Sequence, residues 1–248
     1  GVSQWRPGDR VFGTSRQGQG LNGSYAEFAI ASAAMLATIP DSISDAEAAG
    51  LPTAGTTAFG GIVDVGAAKA GHTVLINGGA GGVGSIAIQI AVAKGAKVAA
   101  TCGRGNVDYV KSLGVDMAID YRYGLVVQAI LKWAPDGVDL VLDAVGQNSL
   151  LPQAIEFVKP GGSFVEIETL ISEASPAEKE AAADKGVRIV SNMIAIERLP
   201  QHLAGLAELV STGKVRPPVT VEMPLAEVAE AHRLVQAGHV RGKIVLKV

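Results

Sequence analysis

Three glycines at the spacing Gly79-x-Gly81-x-x-Gly84 follow an apolar run, 73–77, and open a stretch of helical length, 81–94. In this context one glycine permits a tight turn, another lets the backbone approach a pyrophosphate, and the third lets helix and strand pack closely. The N-terminus of the helix then presents free N–H groups and a positive dipole to the phosphates. The turn therefore predicts dinucleotide binding. No Gly-Lys-Ser/Thr sequence follows it, which excludes a P-loop.

A second candidate position lies at the end of the next apolar run, 97–102, which leads into Gly103 and Arg104. Dinucleotide-binding folds usually carry an acidic residue about 20 residues beyond the glycines, where it binds the adenosine ribose. This sequence has no acid there. A carboxylate would repel a 2′-phosphate, whereas arginine can bind a phosphate through two charge-assisted hydrogen bonds. The loop therefore predicts NADPH, held by Arg104 or by the Gly103 backbone, with Tyr121 and Arg122 beside it.

The elements that position these residues follow a regular alternation. Six nearly continuous apolar runs, typical of strands buried on both faces, predict strands at 73–77, 97–102, 117–120, 138–145, 162–167 and 187–194. Segments of helical length lie between the first five, at 81–94, 105–113, 124–133 and 147–158, and the last of these stops at KPGG. The charged stretch 171–186 predicts a solvated surface helix. The whole predicts an α/β fold with a doubly wound, six-stranded parallel Rossmann sheet.

The flanks break this alternation. Residues 1–40 contain the strand-like segments DRVFG and GSYAEFAIA, and the tail from about Pro217 has the pattern strand, helix, strand. We therefore assign 41–214 to the dinucleotide-binding domain, and 1–40 with 215–248 to a second, smaller domain. The first residue is Gly1, so we expect the beginning of that smaller domain to be missing from this chain.

Composition excludes several classes of protein. The 248 residues are 48% hydrophobic and 18% charged, which is typical of a compact globular protein. A net charge of −3 without a basic run argues against nucleic-acid binding. The single cysteine, Cys102, excludes an intramolecular disulfide and fits a reducing compartment. Glycines and charges interrupt the most apolar stretch, 74–100, so we expect no membrane span and a cytoplasmic protein.

Eight motifs in order give the chain a family resemblance. It resembles the medium-chain dehydrogenase/reductase superfamily, and most of all its zinc-independent NADPH:quinone oxidoreductases, the zeta-crystallin-like branch. The motifs extend over essentially the whole chain and are GDRVFG, GSYAEF, LPTAGTTAFGGI, VLINGGAGGVGSIAIQIA, KSLGVDMAIDYR, VDLVLDAVG, KPGG and RGKIVL. The resemblance implies that the two flanks form a partial GroES-like β domain, which lacks its first half.

The resemblance also bears on metal binding. Zinc-dependent members carry a four-cysteine lobe after the GDRV strand and a zinc-binding cysteine just before the segment that matches GTTAFG. Here no cysteine follows GDRVFG in that region, and the second position is Thr53, whose hydroxyl is a poor zinc ligand. The four histidines, at 72, 202, 232 and 239, show no ligand spacing. We therefore expect no bound metal.

The resemblance further implies a set of cofactor-binding residues. The turn backbone would contact the pyrophosphate, the loops after the second and third strands the 2′-phosphate, and residues near the fourth and last strands the nicotinamide. The residues implied for the pyrophosphate are Gly81, Gly82 and Val83. Those implied for the 2′-phosphate are Gly103, Arg104, Asn106 and Tyr121. Those implied for the nicotinamide end are Thr57, Val145, Gly146, Ile194 and Ile196. Arg241 and Lys243 are either further cofactor contacts or solvated cations on an edge strand.

The implied reaction is hydride transfer from NADPH to a quinone or to the activated C=C bond of an enone, without zinc. Hydrogen-bond donors would stabilise the negative charge that develops on the acceptor. Two alternatives stay open: an enoyl-thioester reductase, including a domain of a larger synthase, and a non-catalytic NADPH-binding scaffold or sensor. The apolar strand 187–194 would form the sheet edge, and such an edge predicts a homodimer that pairs through it.

Overall fold

The computed structural model describes residues 2–15, 23–146, 150–167, 174–192, 196–238 and 240–248. The chain forms two compact units, one of Thr57–Met193 and one of Gly1–Thr56 together with Ile194–Val248. These boundaries differ from the predicted domain limits at 40/41 and 214/215. The assignment of a cofactor-binding and a catalytic domain stays a prediction.

The elements are numbered in chain order. The strands are β1 (Val11–Gly13), β2 (Leu36–Thr38), β3 (Thr73–Asn77), β4 (Lys97–Cys102), β5 (Met117–Asp120), β6 (Val138–Asp143), β7 (Val158–Glu166), β8 (Arg188–Ser191), β9 (Val219–Pro224) and β10 (Lys243–Lys247). The α-helices are α1 (Asp45–Ala49), α2 (Pro52–Phe59), α3 (Gly82–Ala93), α4 (Val107–Ser112), α5 (Val126–Trp133), α6 (Leu151–Phe157), α7 (Pro176–Lys185), α8 (Leu199–Ser211) and α9 (Val228–Gln236). A π-helical segment, Gly60–Val65, continues α2.

The Thr57–Met193 unit is built on a parallel sheet with the strand order β5-β4-β3-β6-β7-β8. The predicted six-stranded, doubly wound sheet is therefore confirmed. The order reverses between β3 and β6, and ligands of such sheets bind in the crevice at the carboxyl ends of the strands on either side of this reversal. Central residues of β3, β4 and β6 are fully buried, which explains the continuous apolar runs from which the strands were predicted.

Strand β7 corrects the predicted boundary at KPGG. The strand starts at Val158 and includes KPGG, and its pairing with β6 shifts register between Val138 and Leu140. Gly161 has a φ of +81°, and a Cβ on Gly162 would lie 2.9 Å from the carbonyl oxygens of Asp139 and Lys159. The glycines therefore shape an irregularity within a strand that goes on, instead of ending the element.

Three further predicted boundaries need correction. The fourth strand of the sheet ends at Asp143, before 144–145, because the Asp143 side chain binds the backbone of the following loop. The last strand covers Arg188–Ser191 where 187–194 was predicted. Helix α6 is shorter than the predicted 147–158, and residues 147–149 lie outside the described residues.

The other unit contains two small sheets. β1 pairs with β2 in antiparallel fashion, and β9 pairs with β10 in parallel across α9, as the strand-helix-strand pattern of the tail predicted. The segment 23–31, predicted to be strand-like, forms bends, and in the part of the chain that is described no strand pairs with it. Its Phe28 side chain is 89% exposed. A strand needs a neighbour for its backbone hydrogen bonds, so residue pattern alone predicted this segment wrongly.

Among the described residues no helix is long and apolar enough to cross a membrane.

Candidate cofactor-binding site

The glycine turn, predicted to bind a pyrophosphate, joins β3 to α3. Gly78 has a φ of +81°, and a Cβ on Gly84 would collide with the carbonyl oxygen of Gly78, so both positions require glycine. The N-cap of α3 is Gly81, which has no side chain to accept hydrogen bonds from the first turn. The backbone N–H groups of Gly82 and Val83 are therefore presented at the helix N-terminus, where an anion can accept from them.

The loop after β4 and the residue after β5 form the next part of the site. Arg104 is exposed and opens a short helical turn in which the N–H of Asn106 donates to the carbonyl of Gly103 at 2.8 Å. The Tyr121 hydroxyl lies 3.9 Å from the position of a Cβ on Gly103. Because Cys102 pairs with Asp120 across the two strands, the residues that follow them lie level with one another. The structure thus brings together four residues predicted around the 2′-phosphate.

Asp120, at the end of β5, is an acidic residue that the sequence reasoning missed. The guanidinium of Arg122 donates to both of its carboxylate oxygens, each at 3.1 Å, and the backbone N–H of Arg122 donates to Oδ1 at 3.2 Å. Burial acts to raise the pKa of Asp120, but these hydrogen bonds and the charges of Arg122 and Arg104 lower it overall. The carboxylate is therefore ionised at neutral pH, and the cluster keeps one net positive charge.

Cys102 lies beside this cluster and is a buried, free cysteine. Its side chain is buried, and burial together with the negative charge of Asp120 raises the pKa of the thiol, against the opposing effect of Arg122. A thiol that stays protonated and out of solvent is a poor nucleophile.

A buried network supports the loop after β6. The Asp143 Oδ1 atom accepts hydrogen bonds from the backbone N–H groups of Val145, at 2.9 Å, and Gly146, at 3.2 Å. It also accepts from the Asn77 amide at 2.8 Å, and Asn77 in turn accepts from the Thr101 hydroxyl at 2.6 Å. None of these three residues was singled out as a site residue in the sequence analysis. Their pairing depends on strand register, which is a property of the folded sheet.

The loop after β6 also contacts the glycine turn. A Cβ on Gly78 would lie 2.8 Å from a methyl group of Val145. Val145 is 43% exposed, whereas Gly146 is buried. The predicted pyrophosphate and nicotinamide positions of this unit are therefore adjacent.

Thr57 lies in the last turn of α2, and its backbone is bonded to Asn192, the residue that follows β8. Its side chain is largely buried, and its carbonyl accepts a hydrogen bond from the Asn192 amide at 2.9 Å. Asn192, which follows β8, was not predicted to take part. Ile194, which was predicted to lie near the nicotinamide carboxamide, falls outside the described residues.

The remaining predicted residues belong to the second compact unit. Ile196 is 64% exposed, and the Arg241 carbonyl accepts from the Thr220 hydroxyl. Lys243 is half-buried and lines a cleft of about 130 Å³ together with Thr53 and the hydroxyl residues Thr14, Ser15 and Ser24. Their part in cofactor binding stays a prediction.

The side chains of the described residues provide no cluster of three or more His, Cys, Asp or Glu that could hold a metal ion. Of the four histidines, His202 is buried in α8, while His232 on α9 packs its ring 5.8 Å from that of Tyr25. His239 lies outside the described residues.

Comparison with known proteins identifies the family. Residues 113–246 match the family model described as zinc-binding dehydrogenase. The chain is similar to the solved quinone oxidoreductase of Coxiella burnetii, with a TM-score of 0.84 and 34% identity, over 100% of this chain and 74% of that one. This chain belongs to the medium-chain dehydrogenase/reductase superfamily. The predicted superfamily, its quinone oxidoreductase-like branch and the oxidoreductase class are thereby confirmed.

The chain is also similar to two curated proteins named as oxidoreductases. It is 32% identical over 271 residues to the mitochondrial NAD(P)H oxidoreductase RTN4IP1 of Danio rerio, covering 100% of this chain and 68% of the relative. It is 33% identical over 255 residues to the chloroplastic NADPH-dependent alkenal/one oxidoreductase of Arabidopsis thaliana, covering 99% and 59%. The chain thus spans about three fifths to two thirds of the length of these two relatives.

Proposed function

We propose that this medium-chain dehydrogenase/reductase chain is an NADPH-dependent oxidoreductase that transfers hydride to a quinone or to the activated C=C bond of an enone, without zinc. One observation carries the proposal. The glycine turn at the start of α3 lies on the same sheet edge as the cluster of Arg104, Arg122 and Asp120, which has a net positive charge. The relatives named as a quinone oxidoreductase and as an alkenal/one oxidoreductase support this choice of acceptor.

The residues fit NADPH from one end to the other. The first turn of α3 offers the N–H groups of Gly82 and Val83 to the pyrophosphate. Arg104 is exposed, so its guanidinium can reach a 2′-phosphate, and Tyr121, 53% exposed, offers a ring face to the adenosine. A dianionic phosphate fits the net positive cluster better than the neutral ribose hydroxyl of NADH does.

Bound NADPH supplies the hydride, and the residues of this chain orient it and control its surroundings. Asp143 fixes the backbone of Val145 and Gly146, so the loop after β6 presents a defined apolar surface to the nicotinamide end. Val145 would place its exposed, apolar side chain beside that position. Fixed orientation lowers the entropic part of the barrier without any metal.

Zinc independence is supported by the chemistry of the donors. By the family resemblance, Thr53 takes the position of a zinc-binding cysteine, and a neutral hydroxyl binds Zn²⁺ far more weakly than a thiolate does. The polar side chains near it in the cleft of the second unit are three hydroxyls and one lysine, and an ammonium group repels a cation.

The proposed activity is tested by an acceptor panel. NADPH oxidation is followed by the loss of NADPH absorbance, with a benzoquinone, a 2-alkenal, an enone or an enoyl-CoA as the acceptor. We expect turnover with the quinone or with the alkenal and enone. Turnover of enoyl-CoA alone would favour the enoyl-thioester reductase. NADPH binding without oxidation of any acceptor would favour the scaffold or sensor and contradict the proposed function.

The proposal extends to assembly and location. β8 is an edge strand of the sheet, and its Ile189 and Val190 are half-buried, so a second copy could add its own β8 to form a homodimer. We place the protein in the cytoplasm. The relative from Danio rerio is named as mitochondrial, so cell fractionation with compartment markers decides between the two.

A further inference from the structure

Three buried polar side chains meet at the carboxyl ends of the central strands. Asn77 ends β3, Thr101 is the penultimate residue of β4, and Asp143 ends β6. They are 7%, 1% and 1% exposed, respectively. The Thr101 hydroxyl donates to Asn77 Oδ1 at 2.6 Å, and the Asn77 amide donates to Asp143 Oδ1 at 2.8 Å. The three side chains thus form one continuous chain of hydrogen bonds across three adjacent strands.

Each end of this chain holds a different segment of the candidate site. At one end, the N–H of Gly78 donates to the Thr101 hydroxyl at 3.0 Å, and the N–H of Gly79 donates to the Thr101 carbonyl at 2.8 Å. At the other end, Asp143 Oδ1 accepts from the N–H groups of Val145 and Gly146. The glycine turn and the loop after β6 are therefore tied to each other through buried side chains.

The arrangement is a poor choice for stability alone. Asp143 Oδ2 is buried, and in the described part of the chain it has no hydrogen-bond partner. A buried carboxyl oxygen without a partner costs free energy, and replacing both partners of a buried hydrogen bond by apolar groups of the same shape can be nearly neutral or stabilising. The network therefore needs a reason other than stability, and the geometry of the two segments it holds supplies one.

We propose that Asn77, Thr101 and Asp143, here called the turn clasp, are positioning residues that hold the glycine turn and the loop after β6 as one rigid surface for the cofactor. The clasp does not touch the reacting atoms. It acts by preventing the pyrophosphate and nicotinamide positions from moving independently, because a change at Thr101 is transmitted through Asn77 to Asp143. This role rests on the proposed function, since the surface in question is the NADPH site.

The test compares variants that break the clasp with matched controls. Thr101→Val removes the hydroxyl at constant volume, and Thr101→Ser restores it. Asn77→Ser opens the middle of the clasp and serves as a second variant if the first folds poorly. Ser163→Ala removes the hydroxyl of a β7 residue that is 2% exposed and lies outside the clasp, where this hydroxyl accepts a hydrogen bond from the Arg188 guanidinium at 2.6 Å. Two properties are measured: the Kd for NADPH by fluorescence titration, and amide hydrogen exchange without cofactor.

We expect Thr101→Val and Asn77→Ser to raise the Kd for NADPH roughly tenfold, the effect of losing about one hydrogen bond. Both variants should also speed hydrogen exchange of the Val145 and Gly146 amides. The Thr101 hydroxyl does not contact these amides, so faster exchange in Thr101→Val would show that its loss is transmitted through Asn77 and Asp143. Thr101→Ser and Ser163→Ala should stay within about twofold of the wild type in both measurements.

Two results would overturn the clasp: unchanged exchange at Val145 and Gly146 in both breaking variants, or an equal rise of the Kd in Ser163→Ala. Wild-type protein that fails to bind NADPH would instead contradict the proposed function. In that case the exchange measurement, made without cofactor, still decides whether the clasp transmits the change.

Discussion

Arg104 and Arg122 both lie near the Asp120 carboxylate, but they interact with it differently. Arg122 binds Asp120 through its backbone N–H and through two guanidinium nitrogens, which fixes the orientation of its side chain. Arg104 interacts with Asp120 through charge, and its side chain is exposed. A guanidinium that is not held by a carboxylate can bind a phosphate through two parallel hydrogen bonds. We therefore propose that Arg104, more than the Gly103 backbone, makes the main contact with a 2′-phosphate.

Replacement of this arginine by an acid tests the assignment. We expect Arg104→Asp to raise the KM for NADPH by about 10- to 100-fold, because a charge-assisted contact is lost and a repulsive charge is added. The KM for NADH should change much less, because NADH has no 2′-phosphate. Steady-state kinetics with a fixed quinone measures both values.

The control for this variant is Lys132→Asp, which makes the same change of charge at an exposed position of α5 in the same unit. It should leave both KM values unchanged. Equal effects of Arg104→Asp on NADPH and NADH would show that Arg104 does not read the phosphate.

Residue types and spacing reached some of these residues but not others. Gly81, Gly103 and Arg104 were predicted because the glycine spacing sets the distance along the chain to the second strand end. Asp120 was passed over because that distance leads to β4, while the acid belongs to the neighbouring strand. Cys102 and Asp120 are level only through the β4–β5 register, which no local pattern in the sequence specifies.

At the scale of the elements, Asp139 joins the starts of β3, β6 and β7. These strand starts lie opposite the carboxyl ends, where the cofactor site is proposed. Its Oδ2 atom accepts from the Thr73 backbone N–H at 2.8 Å and from the Lys159 ammonium at 2.9 Å. Burial acts to raise the pKa of Asp139, but these hydrogen bonds and the charges of Lys159 and His72 lower it overall. A carboxylate with a lowered pKa stabilises the fold above its unfolded pKa, and this contribution is lost as pH falls through the folded value.

We expect Asp139→Asn to lower the free energy of unfolding at pH 7 by about 1–2 kcal/mol, because charge-assisted hydrogen bonds become neutral ones. The difference from the wild type should persist down to about pH 5 and shrink as the pH falls below the usual aspartate pKa of about 3.9. Urea unfolding across this pH range measures it. Asp184→Asn, at an exposed site on α7, should show almost no difference at any pH. A difference for Asp139→Asn that does not vary with pH would contradict the charge-based account.

Element prediction succeeded where burial alone determines the pattern. The run TVLIN predicted a strand at 73–77, and β3 has those bounds, because a central parallel strand is apolar on both faces. The segment GSYAEFAIA was predicted to be strand-like, but it has no paired strand among the described residues and forms bends. KPGG was predicted as a stop because proline and glycine usually end elements, whereas here the pairing with β6 continues past them.

At the scale of the whole molecule, the homodimer is the prediction that depends least on the cofactor. If β8 pairs with its copy, sedimentation velocity of the purified chain should give a mass near twice 25.3 kDa. Hydrogen exchange should show protection of the β8 amides, because the edge is then bonded to a second strand. A monomer with rapidly exchanging β8 amides would rule out this mode of assembly.

The most direct test of the account is the ratio of kcat/KM for NADPH to that for NADH, measured with one quinone acceptor. The protein is first treated with a strong chelator and its metal content determined, so the same sample also tests zinc independence. We expect full activity without zinc and at least a tenfold preference for NADPH, the effect of one charge-assisted phosphate contact. Equal or greater efficiency with NADH, or activity that disappears with the chelator and returns with Zn²⁺, would contradict it.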